Sequence, residues 1–224
     1  MDLVIPFSHS INKDDELKMS LRTIERNLEG SGHVWIVGDT PLWNLNPVNS
    51  TVIPAKDVYN KEPNRNIANK MLIACANNLI PDEFLLVHDD NFITAPCDID
   101  IWPWNQKGTE WKDTLAEKNT KELFGKNIPN FDLHCPHRMT KVGIRLALQH
   151  LDWKKPGGYC IKTAYCLTNN VPSNFYWDLK ILTEAGIKKL TAGRPFFSCS
   201  DESYYPLVHD WLIERFPNNS RYEK

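Results

Sequence analysis

The stretch Phe84-Leu85-Leu86-Val87-His88-Asp89-Asp90-Asn91 runs from an apolar tetrapeptide directly into a histidine, two carboxylates and an amide. Adjacent carboxylates repel each other, and a divalent cation relieves that repulsion. Hard oxygen donors favour Mg2+ or Mn2+ over zinc. The same triplet is also good turn chemistry, because Asp and Asn side chains hydrogen-bond their own backbone. Taken alone, Asp89 and Asp90 read equally well as exposed turn residues. Their place in the fold therefore matters, since ligands of a parallel sheet gather at the carboxyl ends of its strands.

Other polar residues fall at comparable positions. Pro6, Ser8 and His9 follow the apolar run 3–5, and Asp39 follows the run 34–37, where it is placed to hydrogen-bond a base or ribose. Arg65, Asn69 and Lys70, four and five residues apart, share one face at the start of a helix and are placed to steady a nucleotide. Asp201, within Phe197-Ser198-Cys199-Ser200-Asp201-Glu202, is the candidate carboxylate base for an inverting transfer. Ser200 or Asp201 is equally suited to capping the helix that follows.

These residues need a scaffold, and the periodicity supplies one. A short strand at 3–5 is expected to stop at Pro6. A helix then carries Leu17, Leu21, Ile24 and Leu28 on one face, ends at Gly30-Ser31-Gly32, and leads into a strand at 34–37. Strand–helix–strand of this length is the βαβ unit of a parallel sheet. A Pro- and Asn-rich loop at 40–54 precedes a strand-poor segment to Pro63, a helix at 66–79 broken by Pro81-Asp82, and a strand at 84–88. Beyond it the pattern predicts loop plus a short helix over 98–130, a helix at 140–151, a strand at 159–165 and an amphipathic helix at 202–216. There are no repeats or linkers. The expectation is one α/β domain with a mostly parallel central sheet flanked by helices.

Several motifs carry a resemblance. Asp15-Glu16-Leu17 and Ser20-Leu21-Arg22-Thr23-Ile24-Glu25, followed by VWIVGDTPLW, resemble the early conserved region of Stealth-type sugar-phosphate transferases. The chain is similar as well to phage and bacterial glycosyltransferase-like proteins of GT-A architecture. FLLVHDDNFI resembles the GT-A metal motif, a strand running into a D-x-D-like triplet. Phe131-Asp132-Leu133-His134-Cys135-Pro136-His137 looks like the H-x-P element of that group, and Phe216-Pro217-Asn218-Asn219-Ser220-Arg221-Tyr222-Glu223 like its C-terminal signature.

The resemblance implies a single GT-A-like (Rossmann-like) domain, with residues 1–97 binding a nucleotide-sugar and 98–224 an acceptor. The donor, a UDP-sugar in first place, would be held through its diphosphate by Mn2+ or Mg2+. Asp90 is then a metal ligand, and Asp89 serves the metal or the donor's ribose and sugar. Asn91 takes the third motif position, departing from a strict D-x-D, and His134 completes the metal shell with His209 in reserve. The first catalytic region of full Stealth proteins is not recognisable in MDLVIPFSHS, which favours glycosyl transfer over sugar-1-phosphate transfer. The acceptor is a hydroxyl of a glycan, or of hydroxymethylated DNA if the basic residues Arg138, Lys141, Arg145, Lys154 and Lys155 form one positive face rather than a solvated helix face. A non-catalytic sugar-nucleotide-binding module is the alternative that the Asn91 departure keeps open.

Composition trims the rival classes. With 26 basic against 28 acidic residues the net charge is −2, which gives no global pull toward nucleic acid or anionic membrane. A local positive face of Arg138, Lys141, Arg145, Lys154 and Lys155 would restore one. Trp102, Trp104, Trp111, Trp153 and Trp177 are candidates for stacking on sugars or bases, with core packing the plainer explanation for most. His134-Cys135-Pro136-His137 offers zinc-type donors but has no second pair at ligand spacing. No Walker loop, G-x-G-x-x-G or G-x-S-x-G element occurs. Six cysteines without a C-x-x-C pair read as reduced thiols, and the absence of a basic leader or a long apolar run makes the expected location cytoplasmic, with no membrane span.

Overall fold

The computed structural model describes residues 1–99, 104–152, 154–176, 180–183, 186 and 195–224. Over these residues the chain forms β1 (Leu3–Phe7), α1 (Asp15–Asn27), β2 (Leu28–Glu29), β3 (Val34–Gly38), β4 (Ser50–Pro54), α2 (Pro63–Ala76) and β5 (Glu83–Leu86). There follow β6 (Phe92–Ile93), β7 (Cys97–Asp98), β8 (Asn105–Gln106), α3 (Leu115–Phe124), β9 (His137–Thr140), α4 (Lys141–Gln149) and α5 (Ile161–Thr168). β10 (Asn174–Phe175), β11 (Lys180–Ile181) and β12 (Phe196–Cys199) precede a C-terminal helical stretch, Asp201–Ser203, Tyr204–His209 and Asp210–Arg215, whose middle part is π-wound.

Five strands make the central sheet in the order β4-β3-β1-β5-β9, parallel except for β9, which runs antiparallel to β5. The α1 crossover carries the chain outward from β1 to β3, and the α2 crossover returns it to the other side of β1. Strand order therefore reverses between β1 and β5, which places a crevice at their carboxyl ends. Leu3, Ile5, Ile36 and Leu85 pack on one face against Leu17, Leu21 and Ile24 of α1. Val4, Val37, Phe84 and Leu86 pack on the other against Met71 and Ala74 of α2, Ile144 of α4 and Ala164 of α5. Because both faces are covered, these strands are continuously apolar rather than alternating.

Four expectations are corrected. Pro6 does not stop β1, which runs to Phe7 and pairs with β3 along its whole length, Pro6 lying beside Val37. The proline acts on the opposite side. Pairing with β5 covers only Leu3↔Leu85 and Val4↔Leu86, continued by a bond from Val87 N to Val4 O. Alternate residues of β1 face β5, and at Pro6 there is no N–H to continue that ladder, so β1 and β5 part at the crevice. Residues 50–54, expected as loop, form the edge strand β4; Thr51, Val52 and Ile53 suit a pleated surface. Residues 159–165, expected as a strand, lie largely in α5, where Ile161 to Cys166 are all buried. A helix buried on every side loses the one-faced periodicity that distinguishes it from a buried strand. Leu28 leaves α1 and joins β2, which pairs with β7. Among the described residues no helix is long and apolar enough to cross a membrane.

Candidate active site at the carboxyl edge of the sheet

The strand ends are tied together tightly. Lys70 Nζ, buried on α2, donates to Phe7 O at 2.6 Å and to Ser8 Oγ at 2.5 Å and pairs with Asp57 Oδ1 at 2.7 Å. Ser8 Oγ donates to Asp57 Oδ2 at 2.9 Å. Asp39 Oδ2 accepts from His9 N at 3.1 Å, so the ends of β1 and β3 meet as the sequence implied. Gly38 permits that approach, because a Cβ there would lie 1.8 Å from Phe7 O.

The acidic turn follows β5. Asn91 is fully buried; its Oδ1 accepts from His88 N at 3.1 Å and its Nδ2 donates to Asp90 Oδ1 at 3.1 Å. The amide thus closes the turn that presents Asp89 and Asp90. Three polar residues on one face of α1 fasten the backbone behind it. Ser20 Oγ donates to Asn91 O at 2.6 Å, Thr23 Oγ1 accepts from Ile93 N at 3.0 Å, and Asn27 Nδ2 donates to Ile93 O at 2.6 Å.

The two aspartates occupy opposite electrostatic environments. Asp89 is pushed up to about 8 by burial first, then by the negative charges of Asp90, Glu16 and Asp201. Burial also works against the Asp90 carboxylate, but the charge and hydrogen bond of His134, with the charge of Lys180, outweigh it and hold Asp90 well below the usual carboxylate range. His134 Nδ1 stands 3.0 Å from Asp90 Oδ2, and Lys180 Nζ 3.9 Å from the same oxygen. Burial, aided by the positive charge of Lys162, lowers His88 to about 3, and His88 Nε2 is buried with no hydrogen-bond partner among the described residues.

A small second sheet, β11-β12-β6, completes the edge. β12 runs antiparallel to β6 with Phe197 opposite Phe92, so its continuation through Cys199 heads back toward the acidic turn. Lys180 enters through the parallel pair Lys180↔Ser198. Ser200 takes the N-cap position, its N–H donating to Ser203 Oγ at 3.1 Å, which leaves the exposed Asp201 side chain out of the cap. Asp201 is raised by desolvation and by the charges of Glu202 and Asp90. Buried Glu16, also raised by burial, is held by Asn12 and by Ser10 Oγ at 2.8 Å, and Asn12 Nδ2 donates onward to Asp201 O at 2.8 Å. Glu16, Asn12 and Lys180 were not read as site residues from the sequence; only the H-x-P-like stretch gave a signal for the partner across the fold.

Other candidates are engaged elsewhere. The Arg65 guanidinium lies 3.7 Å over the Tyr59 ring and 3.1 Å from Glu62, while Asn69 is half-buried on α2. His209 contacts Asp15 at 3.4 Å and Asp210 at 2.9 Å. His137 Nδ1 pairs with Cys135 O at 2.7 Å. Of the residues considered for a positive face, Arg138 pairs with Glu83 and Lys155 with Glu122, while Lys141 donates to Asn77 O and Ile80 O and Arg145 to Cys75 O. Trp104 packs on Tyr165 with centroids 5.3 Å apart, and Lys121 Nζ lies 5.6 Å from the centroid of the Trp111 ring; Trp102, Trp153 and Trp177 lie outside the described residues.

Among the described residues, no three or more His, Cys, Asp or Glu side chains converge as a metal-binding group. The donor set at the turn is two carboxylates. That suits Mg2+ or Mn2+ completed by water and substrate phosphates, which do not require an all-protein cage. Burial is the first cause of the raised Asp89 pKa, and the charges of Asp90, Glu16 and Asp201 add a repulsion that a cation would relieve. No protein-family model and no curated protein matches the chain.

Proposed function

We propose that the protein is a metal-dependent transferase of GT-A-like architecture, moving a sugar from a nucleotide-sugar to a hydroxyl acceptor. The observation that carries this reading is the pair Asp89–Asp90 at the β1/β5 switch point, with Glu16 and Asp201 close enough to raise Asp89. Asp89 and Asp90 would hold Mn2+ or Mg2+, and His134 orients Asp90. Bound there, the ion supplies positive charge against a departing nucleoside diphosphate. Asp39, at the end of β3, is placed for the nucleoside.

Asp201 is the base in this reading. It takes the acceptor hydroxyl proton as the new bond to the sugar carbon forms and the bond to the donor phosphate breaks. Its raised pKa makes it a stronger base than an ordinary carboxylate. A glycan is the favoured acceptor: the net charge of −2 gives no global pull toward DNA, and Arg138 and Lys155 are offset by Glu83 and Glu122.

The test is a thermal-shift screen of UDP-, GDP-, ADP- and CMP-sugars with and without Mn2+. A UDP-sugar should stabilise the protein only with the metal. If no nucleotide gives a metal-dependent shift, the reading is wrong. Asp90→Asn separates an enzyme from a binding module, since only an enzyme has metal-dependent turnover to lose.

A further inference from the structure

A cavity of about 560 Å³ lies between the start of α2, the start of α3 and the loop carrying His134. It is separate from the Ser8–Asp39 strand ends, yet His134 belongs to its wall and hydrogen-bonds Asp90 at 3.0 Å. The cavity therefore adjoins the reacting edge. Its volume suits a ligand of sugar size.

The charges on its wall are unevenly satisfied. Glu62 accepts from Gly157 N at 2.8 Å and pairs with Arg65; Glu117 is buried and accepts from Thr114 N at 3.0 Å; Asp132 lies 3.9 Å from Lys162. Three wall lysines answer them differently. Lys107 directs one of its donors to Asp132 O at 2.9 Å. Lys61 and Lys112 are exposed, and among the described residues neither has a hydrogen-bond or ion-pair partner. Arg65 and Lys162 offset Glu62 and Asp132, so Lys61, Lys107 and Lys112 face only the charge of buried Glu117, and this excess of positive charge attracts an anion.

We propose that this cavity is the acceptor site and that the acceptor is a sugar bearing an oxyanion, a phosphate or carboxylate, held by Lys61 and Lys112 with its reacting hydroxyl extending past His134 to the Asp90 edge, where Asp201 serves as base. The assignment of acceptor rests on the transferase reading above; the anion preference does not. Calorimetric titration of the whole chain with glucose 6-phosphate, glucuronate and glucose tests it. At least one anionic sugar should bind at least tenfold more tightly than glucose, and whichever does so identifies the group. The double substitution Lys61→Gln/Lys112→Gln, at two exposed positions, should weaken that binding at least tenfold while leaving UDP affinity in Mn2+ unchanged. Equal binding of glucose, no binding of any of the three, or full affinity in the double variant overturns the proposal. Displacement of the sugar anion by UDP with Mn2+ also overturns it, because the lysines would then hold the donor. Absence of metal-dependent UDP binding in the unmodified protein would instead count against the transferase reading alone.

Discussion

His134 Nδ1 and Asp90 Oδ2 meet at 3.0 Å although 44 residues separate them in sequence. The antiparallel pairing of β9 on β5, with His137 opposite Leu86, brings the residues before β9 against those after β5. The H-x-P-like and acidic motifs thus meet at one end of the β5–β9 pair. Replacing His134 by Ala removes the hydrogen bond and charge that hold Asp90 ionised. Mn2+ affinity in the presence of UDP should fall about 10–100-fold, the range for loss of a residue that orients a metal ligand. Titration by calorimetry checks it.

Asp89 sits in an unfavourable field, and relieving it should stabilise the metal-free protein. Asp89→Asn is expected to raise the melting temperature by about 2–4 °C, corresponding to about 1 kcal/mol in a domain of this size. The same variant should lose the Mn2+-dependent shift. Paired melting curves with and without metal measure both effects.

The carboxyl-terminal segment is held by a buried pair. Arg22 donates through Nε and Nη2 to both oxygens of Glu223, each at 2.8 Å, and Ser220 N donates to the same carboxylate at 2.8 Å. Arg22→Ala strands a buried carboxylate and should cost about 3–5 kcal/mol in urea denaturation. Burial opposes ionised Glu223, but Arg22 and Ser220 outweigh it and keep its pKa below the usual value. Its contribution is therefore present above about pH 4.3, where the unfolded carboxyl titrates, and fades as pH falls through the lower folded value.

His137 works in the other charge sense. Burial, then the charge of Lys162, keeps its pKa well below the imidazole norm. Below about pH 6.5 the unfolded chain binds a proton that the folded chain refuses, so this residue lowers stability as pH falls. His137→Asn should remove a slope of about 1.4 kcal/mol per pH unit relative to the unmodified protein. Denaturation of both proteins between pH 8 and pH 5 gives the difference directly, with all other titrating groups held in common.

What the sequence disclosed follows the length scale of each interaction. The β1–α1–β3 unit was legible because its apolar spacing is local, and Asp89–Asp90 stood out as two charges after an apolar run. β4 was missed because its short β-branched core lies between Asn- and Pro-rich turns, and α5 because its first six residues are all buried. Glu16, Asn12 and Lys180 carried no signal of their own. Their place at the site depends on α1 starting beside the crevice and on β11 pairing with β12. Asn91 looked like a motif position, whereas its amide closes the turn through His88 N and Asp90.

The central claim is that Asp89 and Asp90 bind a divalent cation together with a nucleoside diphosphate. Electron paramagnetic resonance of Mn2+ measures this directly, because the free-ion signal falls as the metal is bound. Titrating protein into Mn2+ with UDP should deplete that signal beyond the loss UDP alone causes, and Asp89→Asn and Asp90→Asn should each abolish the extra loss. A signal unaffected by the protein, or depletion that survives both substitutions, would contradict the account.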